Sequence, residues 1–484
     1  MYSAGNPVHI TRHKSLASLI HYMNTKALAL FAGPVFALVV YFLTITPDNP
    51  ALAITAAVTI LCVIWWVFEP VPIPVTSLVP LTVFQLSGIL TSNQIGQSYG
   101  SPLILLLMGG FILSKSMERS GAHLRLALFM VNLFGNQSSK HLVLGFMVTA
   151  ATLSMWISNT ATTLMLLPVA LAVANQAKDK HLATPLLLSV AYAASIGGIG
   201  TPIGTPPNLV FMQVYEQQFN KNIGFTEWMT WGIPIVVCMI PMVWLWLTRK
   251  LTYTGGFDMP DVGKWSTIEK RVMLVFALTA TAWTTRKEPF GGWSGWLDIP
   301  AANDASVALL AVILMFIIPA GYESENRKHE KLLDWETAAT IPWGILILFG
   351  GGICLAKAFG VSGLSTTLAE NLSELSTLPV WLMIFAICLG VTFLTETTSN
   401  TASTVLLMPV LAATAMGSNI DPKLLMIPAA ISASCAFMMP VATAPNSIVY
   451  ASGFFTTKIM AKEGVVLNIL GAVIIAALCY LIFV

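Results

Sequence analysis

The sequence predicts an all-α polytopic membrane protein with about 11 transmembrane helices plus two re-entrant helical hairpins, arranged as an inverted-topology repeat. Three observations lead to this fold class. Only 10% of the 484 residues are charged and 56% are hydrophobic, whereas a soluble chain carries about 25% charged residues. Apolar stretches of membrane-spanning length recur along the chain, and three sequence blocks appear in the same order in both halves.

The composition also narrows the classes of partner and cofactor. The formal net charge of +2 gives no reason to expect a nucleic-acid partner. The six cysteines are scattered through apolar runs without metal-ligand or disulfide spacing, so we interpret them as small core residues. We expect no organic cofactor. The partners that the sequence predicts are membrane lipid and small ions.

The first predicted span begins at Ala27, after an N-terminal segment (residues 1–26) that contains Arg12, Lys14 and Lys26. A charged region followed by an apolar run is also typical of a signal peptide. This run, however, is about 20 residues long and is not followed by a small-residue cleavage site. The positive-inside rule then predicts a cytoplasmic N-terminus and a multi-pass protein of the plasma membrane, which in a bacterium is the inner membrane. Further uninterrupted spans are predicted at residues 51–68, 71–90, 102–116, 230–248, 271–285, 305–321, 340–357 and 464–484.

Two longer apolar stretches, residues 141–175 and 380–416, each contain Ser-Asn-Thr near the midpoint. About 35 residues is long for one tilted helix but suits two shorter arms that fold back on each other. Asn and Ser favour turns because their side chains compete for backbone hydrogen bonds. We therefore predict two re-entrant hairpins. Their tips should line an aqueous cavity, because irregular backbone is tolerated at membrane depth only where it is buried in protein or wet.

The repeat extends beyond these clusters. Gly109-Gly110 recurs as Gly350-Gly351, and "GIGTPIGTPPNLV" (198–210) has a counterpart in "AFMMPVATAPNSIV" (436–449). Residues 115–140 carry four basic side chains against one acid, whereas residues 356–381 carry one basic side chain against two acids. This contrast places corresponding segments on opposite sides of the membrane. An inverted repeat is the usual architecture of secondary transporters.

The polar clusters have a structural and a functional interpretation. Small polar residues often join membrane helices through hydrogen bonds. Two clusters at matched positions, each with a proline nine residues after the asparagine, favour an ion site instead. Hydroxyl, amide and free carbonyl oxygens suit sodium, whereas N–H groups and helix N-termini suit an anion. The Gly/Pro-rich blocks within residues 184–211 and 424–450 predict interrupted helices, which point to a transporter's binding site.

These blocks contain neither Arg nor Lys, so the sequence predicts that an anion binds there only with co-bound cations. Glu396 is the one acid among them and faces Met155 in the alignment of the halves. An intramembrane carboxylate is a functional candidate by default. A structural role and a role in proton coupling both remain open for it.

The paired Ser-Asn-Thr clusters, the "TETTSNTA" lead-in to the second, and the T-P-P-N and T-A-P-N blocks resemble the divalent anion/sodium symporter family of INDY-type dicarboxylate carriers. The resemblance covers nearly the whole chain from about residue 27. It implies a homodimer that imports C4-dicarboxylates (succinate, malate, fumarate) with sodium by an elevator motion. It also implies scaffold segments at residues 27–139 and 228–378, and transport-domain segments at residues 140–227 and 379–484.

The resemblance further implies the roles of individual residues. At least two sodium sites would use the following residues: Ser154, Ser158, Asn159 and the Gly204 carbonyl at one, and Thr395, Thr398, Asn400 and the Ala442 carbonyl at the other. The substrate would contact both clusters and the two Pro-containing blocks: Ser158, Asn159, Thr160, Ser399, Asn400, Thr401, Thr205, Pro206, Thr443 and Ala444. The T-A-P sequence of the second block departs from the T-P-P of the first and leaves the closing contacts open.

Other functions remain as alternatives. A sodium-independent dicarboxylate exchanger and a sodium-coupled citrate or sulfate carrier belong to the same family. A pore lined by two re-entrant hairpins is a different class, although a central site suits alternating access better. The sequence predicts that the protein is not an enzyme, since it has no H-E-x-x-H, no G-x-S-x-G and no paired intramembrane carboxylates.

Overall fold

The computed structural model describes residues 16–134, 138–176, 179, 181–255, 257, 263–287, 290–322, 327, 329–372 and 379–484. These residues form 23 α-helices and one 3₁₀ turn at Gly198–Gly200, and their only β-structure is an isolated bridge between Pro319 and Lys331. The helices of the first half are α1 Leu16–Thr44, α2 Pro50–Phe68, α3 Ile73–Thr76, α4 Leu78–Leu86, α5 Ser92–Tyr99, α6 Pro102–Ser120, α7 Ala122–Phe134, α8 Ser139–Ser154, α9 Asn159–Gln176, α10 Ala183–Gly197 and α11 Pro206–Phe219. The remaining helices are α12 Phe225–Thr248, α13 Thr267–Thr284, α14 Gly292–Trp296, α15 Asp304–Ile317, α16 Trp335–Ala338, α17 Trp343–Val361, α18 Leu364–Leu372, α19 Val380–Leu394, α20 Asn400–Gly417, α21 Lys423–Ser432, α22 Ala444–Tyr450 and α23 Thr457–Phe483.

Eight helical segments in the described part of the chain are long and apolar enough to cross a membrane, and six shorter apolar helices accompany them. The chain is therefore an all-helical, multi-pass membrane protein. The eight long segments are Thr25–Thr44, Pro50–Phe68, Ser92–Ser120, Ala183–Gly200, Phe225–Thr248, Trp343–Val361, Asn400–Gly417 and Thr457–Phe483. The full count of about 11 spans and the inverted orientation stay predictions, because several predicted spans are shorter helices.

Both predicted hairpins fold as two helices joined by a short turn. In the first, α8 and α9 are joined at residues 155–158; in the second, α19 and α20 are joined at residues 395–399. Each turn coincides with a Ser-Asn-Thr cluster, as the turn propensity of Asn and Ser predicts. The return of each hairpin to one side of the membrane stays a prediction.

The two predicted interrupted helices are also broken near their midpoints. The first break lies between α10 and α11, and Pro206 is the first residue after it; the second lies between α21 and α22. Proline at the start of a helix has no N–H to leave unpaired, so it favours restarting the helix at that point. Both breaks lie beside the hairpin turns.

The structure differs from the sequence prediction in several elements. The apolar span of α1, Thr25–Thr44, agrees with the span predicted from Ala27, but the helix itself begins earlier, at Leu16. Residues 1–15 of the predicted N-terminal segment lie outside the described residues. The predicted span 71–90 is two short helices, α3 and α4, which meet at Ser77. Residues 115–140 and 356–381, for which the sequence predicts only a side of the membrane, contain helices α7 and α18. Residues 373–378 of the second connection lie outside the described residues.

Packing divides most of the helices into two groups around one hydrophobic core. The hairpins, the interrupted helices, α12 and α23 pack against one another, whereas α13, α15, α6, α17 and α2–α5 form a second set. Helix α12 packs against α8, α10, α23 and the 3₁₀ turn more extensively than against α13. Helix α1 packs mainly against α2 and keeps most of its apolar side chains exposed. The two groups meet at the cavity described next.

Candidate binding site

A cavity of about 880 Å³ lies where the two hairpin turns and the two helix breaks meet. Its volume falls in the range of small-molecule sites, about 300–1,000 Å³. The turns contribute residues 158–160 and 397–401, and the breaks contribute residues 203–206 and 441–445. Parts of α6 and the end of α2 form the opposite wall. The cavity therefore has one wall from each of the two helix groups.

At the first turn, oxygen atoms converge on the Asn159 side chain. One terminal atom of its amide lies 2.5 Å from Ser154 Oγ, 3.2 Å from the Ala194 carbonyl oxygen and 3.3 Å from the Gly204 carbonyl oxygen. If that atom is nitrogen, its two N–H protons can be donated to two of the three oxygens at a time. If it is oxygen, only the Ser154 hydroxyl has a proton to share, and the two carbonyls face another acceptor. A bound cation resolves that arrangement without an amide flip.

The second turn has the same arrangement in different residues. Thr395 Oγ1 lies 2.5 Å from Asn400 Oδ1 and 3.1 Å from the Ala433 carbonyl oxygen. One hydroxyl has one proton, so Thr395 donates to only one of these two acceptors at a time. Ala433 follows Ala194 by 239 residues in the sequence. Acceptor oxygens therefore outnumber protons at the second turn, and at the first turn when the amide oxygen of Asn159 faces these groups.

The helix breaks are held open by a matched pair of asparagines. Asn208 Nδ2 donates to the carbonyl oxygens of Gly198 (2.9 Å) and Thr201 (2.8 Å). In the other half, Asn446 Nδ2 donates to the carbonyl oxygens of Ala436 (2.9 Å) and Met439 (3.1 Å). The carbonyls of Gly198 and Ala436 occupy equivalent positions of the two halves, as do those of Thr201 and Met439, each pair 238 residues apart. The asparagine of each Pro-Asn block thus satisfies carbonyls that the broken helix leaves unpaired.

The first break also requires glycine for close backbone approach. A Cβ atom at Gly198 would lie 2.8 Å from Asn159 Oδ1 and 3.0 Å from the Gly204 carbonyl oxygen. A Cβ atom at Gly204 would lie 2.5 Å from the Gly198 carbonyl oxygen. The second break has alanine at both equivalent positions, Ala436 and Ala442. The first site is therefore the more tightly packed of the two.

Helix N-termini point at the cavity from both turns. Ser158 Oγ accepts from the Ala161 N–H (3.2 Å) and Ser399 Oγ accepts from the Ala402 N–H (3.5 Å), so the serine of each cluster caps α9 or α20. Thr205 occupies the N-cap position of α11 at the same cavity. The positive end of a helix dipole favours negative charge. The cavity wall thus combines anion-favouring helix ends with cation-favouring oxygens.

Glu396 lies behind the second turn and is 3% exposed. Its carboxylate accepts from the backbone N–H groups of Met438 and Met439 (2.8 Å each) and from Asn468 Nδ2 (2.7 Å). Three donors satisfy both oxygens in the ionised form. Of the two roles left open by the sequence, this geometry supports the structural one: Glu396 fixes the break between α21 and α22.

Lys115 is a cavity residue that the sequence analysis did not identify. It lies on α6, lines the cavity and forms an ion pair with Glu118 (2.7 Å). The binding blocks themselves lack Arg and Lys, as noted from the sequence, but the opposite wall does not. Its position in the repeated apolar block that contains Gly109-Gly110 could have identified it, because a lysine is rare within an apolar span.

An aromatic cluster joins the first turn to α13. Trp156 stacks on Trp283 (centroids 6.4 Å apart, planes at 6°) and on Phe225 (6.1 Å, 21°). Its edge contacts Phe276 (5.9 Å), and Phe225 stacks on Trp283 (4.8 Å). The cluster is a contact between the hairpin group and the second helix group.

The structure brings together all the residues that the resemblance proposed. Thirteen of them line the cavity, and Ser154 and Thr395 contact the two asparagine amides from behind. Thr398 Oγ1 lies 2.9 Å from the Leu394 carbonyl oxygen and 2.5 Å from Ser403 Oγ. The carbonyls of Ala194 and Ala433 were missed, because a main-chain oxygen leaves no mark in the residue pattern. The individual binding roles stay predictions.

Comparison with known proteins gives consistent results. A family model described as a citrate transporter matches residues 63–424. The chain is 38% identical over 478 residues to the sodium-dependent dicarboxylate transporter SdcS of Staphylococcus aureus strain MRSA252, covering 94% of this chain and 91% of that protein. It is 36% identical over 475 residues to the protein of the same name from Staphylococcus saprophyticus, covering 93% and 90% of the two chains.

Solved structures match in fold. The YdaH transporter of Alcanivorax borkumensis superimposes with a TM-score of 0.62 at 14% identity, covering 94% of this chain and 98% of that chain. MtrF of Neisseria gonorrhoeae, from a class of antimetabolite efflux pumps, gives a TM-score of 0.58 at 14% identity, covering 82% and 83%. At this identity the likeness is one of architecture only.

Proposed function

We propose that this chain, which belongs to the divalent anion/sodium symporter family of dicarboxylate transporters, carries C4-dicarboxylates across the plasma membrane together with sodium. The protein is a transporter and not an enzyme. Its transport of dicarboxylates is coupled to sodium, and we propose succinate, malate and fumarate as the substrates. We further propose the bacterial inner membrane as its location, with the N-terminus in the cytoplasm.

The excess of acceptor oxygens at the two turns is the observation that carries this proposal. Neutral hydroxyl, amide and carbonyl oxygens suit a weakly polarising cation such as sodium. Around Asn400, and around Asn159 when its amide oxygen faces Ser154, these oxygens lie close together and lack enough protons to pair. We assign one sodium ion to each turn. The other predicted ligands, Ser158, Thr398 and the Ala442 carbonyl, lie on the adjoining cavity wall.

The same geometry supports a proposal that the cations and the anion bind together. The predicted substrate contacts Asn159, Thr160, Asn400 and Thr401 lie at the N-terminal ends of α9 and α20. A helix terminus contributes only about half a positive charge, which falls short of a dianion. Two sodium ions beside the same asparagines supply the missing charge. The dicarboxylate therefore binds well only after sodium has bound.

An elevator motion is our proposal for the transport step. The hairpins, the interrupted helices and α23 would move as one body against α2–α6 and α13–α17. Because α12 packs on the hairpin group, we place it in the moving body and extend the first transport segment from 140–227 to residue 248. Gln218 Nε2 donates to the Ala356 carbonyl (3.0 Å) across the two bodies, and this bond must break on movement. We also propose the homodimer that the family resemblance implies.

Two alternatives concern the same site. The family model is described as a citrate transporter, so citrate, and sulfate within the same family, are the competing cargoes. A sodium-independent exchanger is the competing mechanism. The excess of oxygens favours sodium coupling over exchange, because an exchanger has no use for two cation sites.

The test is uptake of radiolabelled succinate into proteoliposomes. An inward sodium gradient should drive accumulation, and replacing sodium with choline should abolish it. Competition by malate, fumarate, citrate and sulfate ranks the cargoes. Uptake that persists in choline and requires internal succinate would establish the exchanger instead.

A further inference from the structure

We infer that Tyr192 is a positioning residue for the second sodium site, which it reaches from the first half of the chain. This role rests on the proposed function, because it assumes that each hairpin turn binds a sodium ion. Tyr192 lies on α10, two residues before Ala194, whose carbonyl oxygen is 3.2 Å from the Asn159 amide at the first turn. Its hydroxyl, however, bonds to the break between α21 and α22 in the second half.

One peptide group of the second break is held at both ends. Tyr192 Oη donates to the carbonyl oxygen of Phe437 (2.7 Å). The N–H of the same peptide group belongs to Met438 and donates to Glu396 Oε1 (2.8 Å). A hydrogen bond at one end of a peptide group polarises it and strengthens the bond at the other end. The Tyr192 hydroxyl therefore strengthens the hold of the break on the Glu396 carboxylate.

The contact between Tyr192 and the break is dry and closely packed. Tyr192 and Phe437 are both fully buried, and their ring centroids lie 4.9 Å apart. On the other side, Gly464 of α23 lies so close that a Cβ atom there would clash with the Phe437 carbonyl oxygen. Within the described part of the chain, this oxygen accepts no other hydrogen bond. Removing the hydroxyl alone would therefore leave a buried carbonyl without a donor.

Glu396 carries this support to the proposed sodium ligands. It directly follows Thr395, whose hydroxyl oxygen lies 2.5 Å from Asn400 Oδ1 and 3.1 Å from the Ala433 carbonyl oxygen. A shift of the Glu396 carboxylate therefore displaces the main chain of Thr395 and changes the distances between these oxygens. The affinity of an ion site depends on the neighbours that hold its ligands in place. Tyr192 thus acts on the site through Glu396, without contacting the ion.

The first turn has no equivalent of this contact. The residue that matches Tyr192 in the second half is Ile431, 239 residues later, and it has no hydroxyl. Glu396 is matched by Met155, which has no carboxylate. The support therefore runs in one direction only, from the first half to the second. The Tyr192 hydroxyl should matter to the second sodium site and not to the first.

The experiment measures sodium-dependent thermal stabilisation of the purified protein, one site at a time. Asn159→Ala leaves only the second turn intact, and Asn400→Ala leaves only the first. Tyr192→Phe removes the hydroxyl and keeps the ring. In the Asn159→Ala protein it should raise the sodium concentration for half-maximal stabilisation about three- to tenfold. In the Asn400→Ala protein it should leave that concentration unchanged.

Tyr99→Phe is the matched control. Tyr99 also donates its hydroxyl to a main-chain carbonyl oxygen, that of Ile347 (3.3 Å), but it lies on α5 in the second helix group and does not line the cavity. Tyr99→Phe should lower the melting temperature, as the loss of any hydrogen bond does, and leave the sodium concentration unchanged at both turns. Loss of stability alone therefore does not mimic the expected result.

A double-mutant cycle separates positioning from ordinary packing. Tyr192 and Glu396 hold the same peptide group, so their substitutions should not be additive. In an Asn159→Ala protein that also carries Glu396→Gln, Tyr192→Phe should raise the half-maximal sodium concentration by less than about twofold. The same factor with and without Glu396→Gln would show that Tyr192 acts independently of the carboxylate, against the inferred role. If the combined protein does not fold, the single-site comparison still decides.

The outcomes for this role and for the proposed function are distinct. If sodium stabilises the wild type but Tyr192→Phe leaves the second turn unchanged, or shifts both turns equally, the role of Tyr192 is overturned and the proposed function stands. Loss of all sodium response in the Asn159→Ala protein would also overturn the role, because the second turn would bind no ion by itself. If sodium does not stabilise the wild type, the proposed function fails and the role of Tyr192 fails with it.

Discussion

The two hairpin turns solve the same problem with different supports. Both place an asparagine amide close to a side-chain hydroxyl and a main-chain carbonyl oxygen. The second turn is backed by the buried carboxylate of Glu396, which binds two successive backbone N–H groups. The first turn has Met155 at that position, and there the carbonyl of Met155 accepts from Thr201 Oγ1 (2.5 Å).

This difference shows that the two breaks are supported in different ways. At the first break a Cβ atom added at Gly198 or Gly204 would lie 3.0 Å or less from a backbone carbonyl oxygen, so close packing fixes it. The second break has alanines there and is fixed by a charged side chain instead. The two turns present similar oxygen ligands, but they should respond differently when the residues that support each break are substituted. The predictions below test that, beginning with the residues that the two turns share.

The largest effect is expected from Asn159→Ala and Asn400→Ala. Each substitution removes an amide that is a proposed sodium ligand and also lines the cavity. Sodium-driven succinate uptake should therefore fall by at least about a hundredfold. Each variant should keep one step of sodium-dependent thermal stabilisation from the intact turn. Asn132→Ala, an exposed residue of α7, is the control. Normal sodium-dependent uptake by either variant would place the site elsewhere.

Glu396→Gln should have the next largest effect, confined to the second turn. The glutamine amide turns an NH₂ donor towards one of the two backbone N–H groups, and the negative charge is lost. Together these changes should cost about 2 kcal/mol of interaction free energy. The sodium concentration for half-maximal stabilisation of that site should therefore rise by roughly ten- to thirtyfold. Met155→Leu at the matched position should change it little. Equal effects of the two substitutions would mean that the supports do not differ.

Gly198→Ala should act in the opposite half. The new Cβ atom would lie 2.8 Å from Asn159 Oδ1, which is too close, so the amide must move away from the Gly204 carbonyl. We expect about a tenfold rise in the sodium needed at the first turn. The counterpart, Ala436→Gly, should cost only about 1 kcal/mol of stability through backbone entropy. Sodium titrations that leave Gly198→Ala like the wild type would refute the tight packing.

The smallest difference is expected between Asn208→Ala and Asn446→Ala. Each removes two hydrogen bonds from buried carbonyls, so each should lower the free energy of unfolding by about 1–3 kcal/mol. Because the two bonding patterns match, the two values should agree within about 0.5 kcal/mol. Denaturation in detergent measures both. A clear inequality would show that the match between the breaks is superficial.

Much of the site could be predicted from the sequence because repetition marked it. The Ser-Asn-Thr clusters and the Pro-Asn blocks recur at nearly equal spacing, and they converge on one cavity. The Ala194 and Ala433 carbonyls could not be predicted, since every residue offers a carbonyl and only the fold brings these two to the asparagine side chains. The partner of Glu396, Asn468, lies 72 residues away, and no local pattern connects the two.

The long apolar helices of the fold could be predicted from the sequence, whereas the break at Ser77 and helices α7 and α18 could not. Spans with continuous apolar sequence became helices near the expected positions. The break at Ser77 was missed because tertiary contact decides it: a Cβ at Gly351 would lie 2.3 Å from the Ser77 carbonyl oxygen. Helices α7 and α18 were missed because charge dominated the reading of those segments.

The stack of Trp156 on Trp283 has a consequence for the proposed movement of the hairpin group. Two ring pairs link Trp156 of the first turn to α13, and a third links Phe225 of α12 to α13. At about 0.5–1.5 kcal/mol each, the three pairs stabilise the present position of the hairpin and α12 by about 1.5 to 4.5 kcal/mol. If the hairpin group moves as proposed, all three ring pairs must separate, in the loaded protein as in the empty one. Replacing these rings should therefore lower the barrier to the movement in both states.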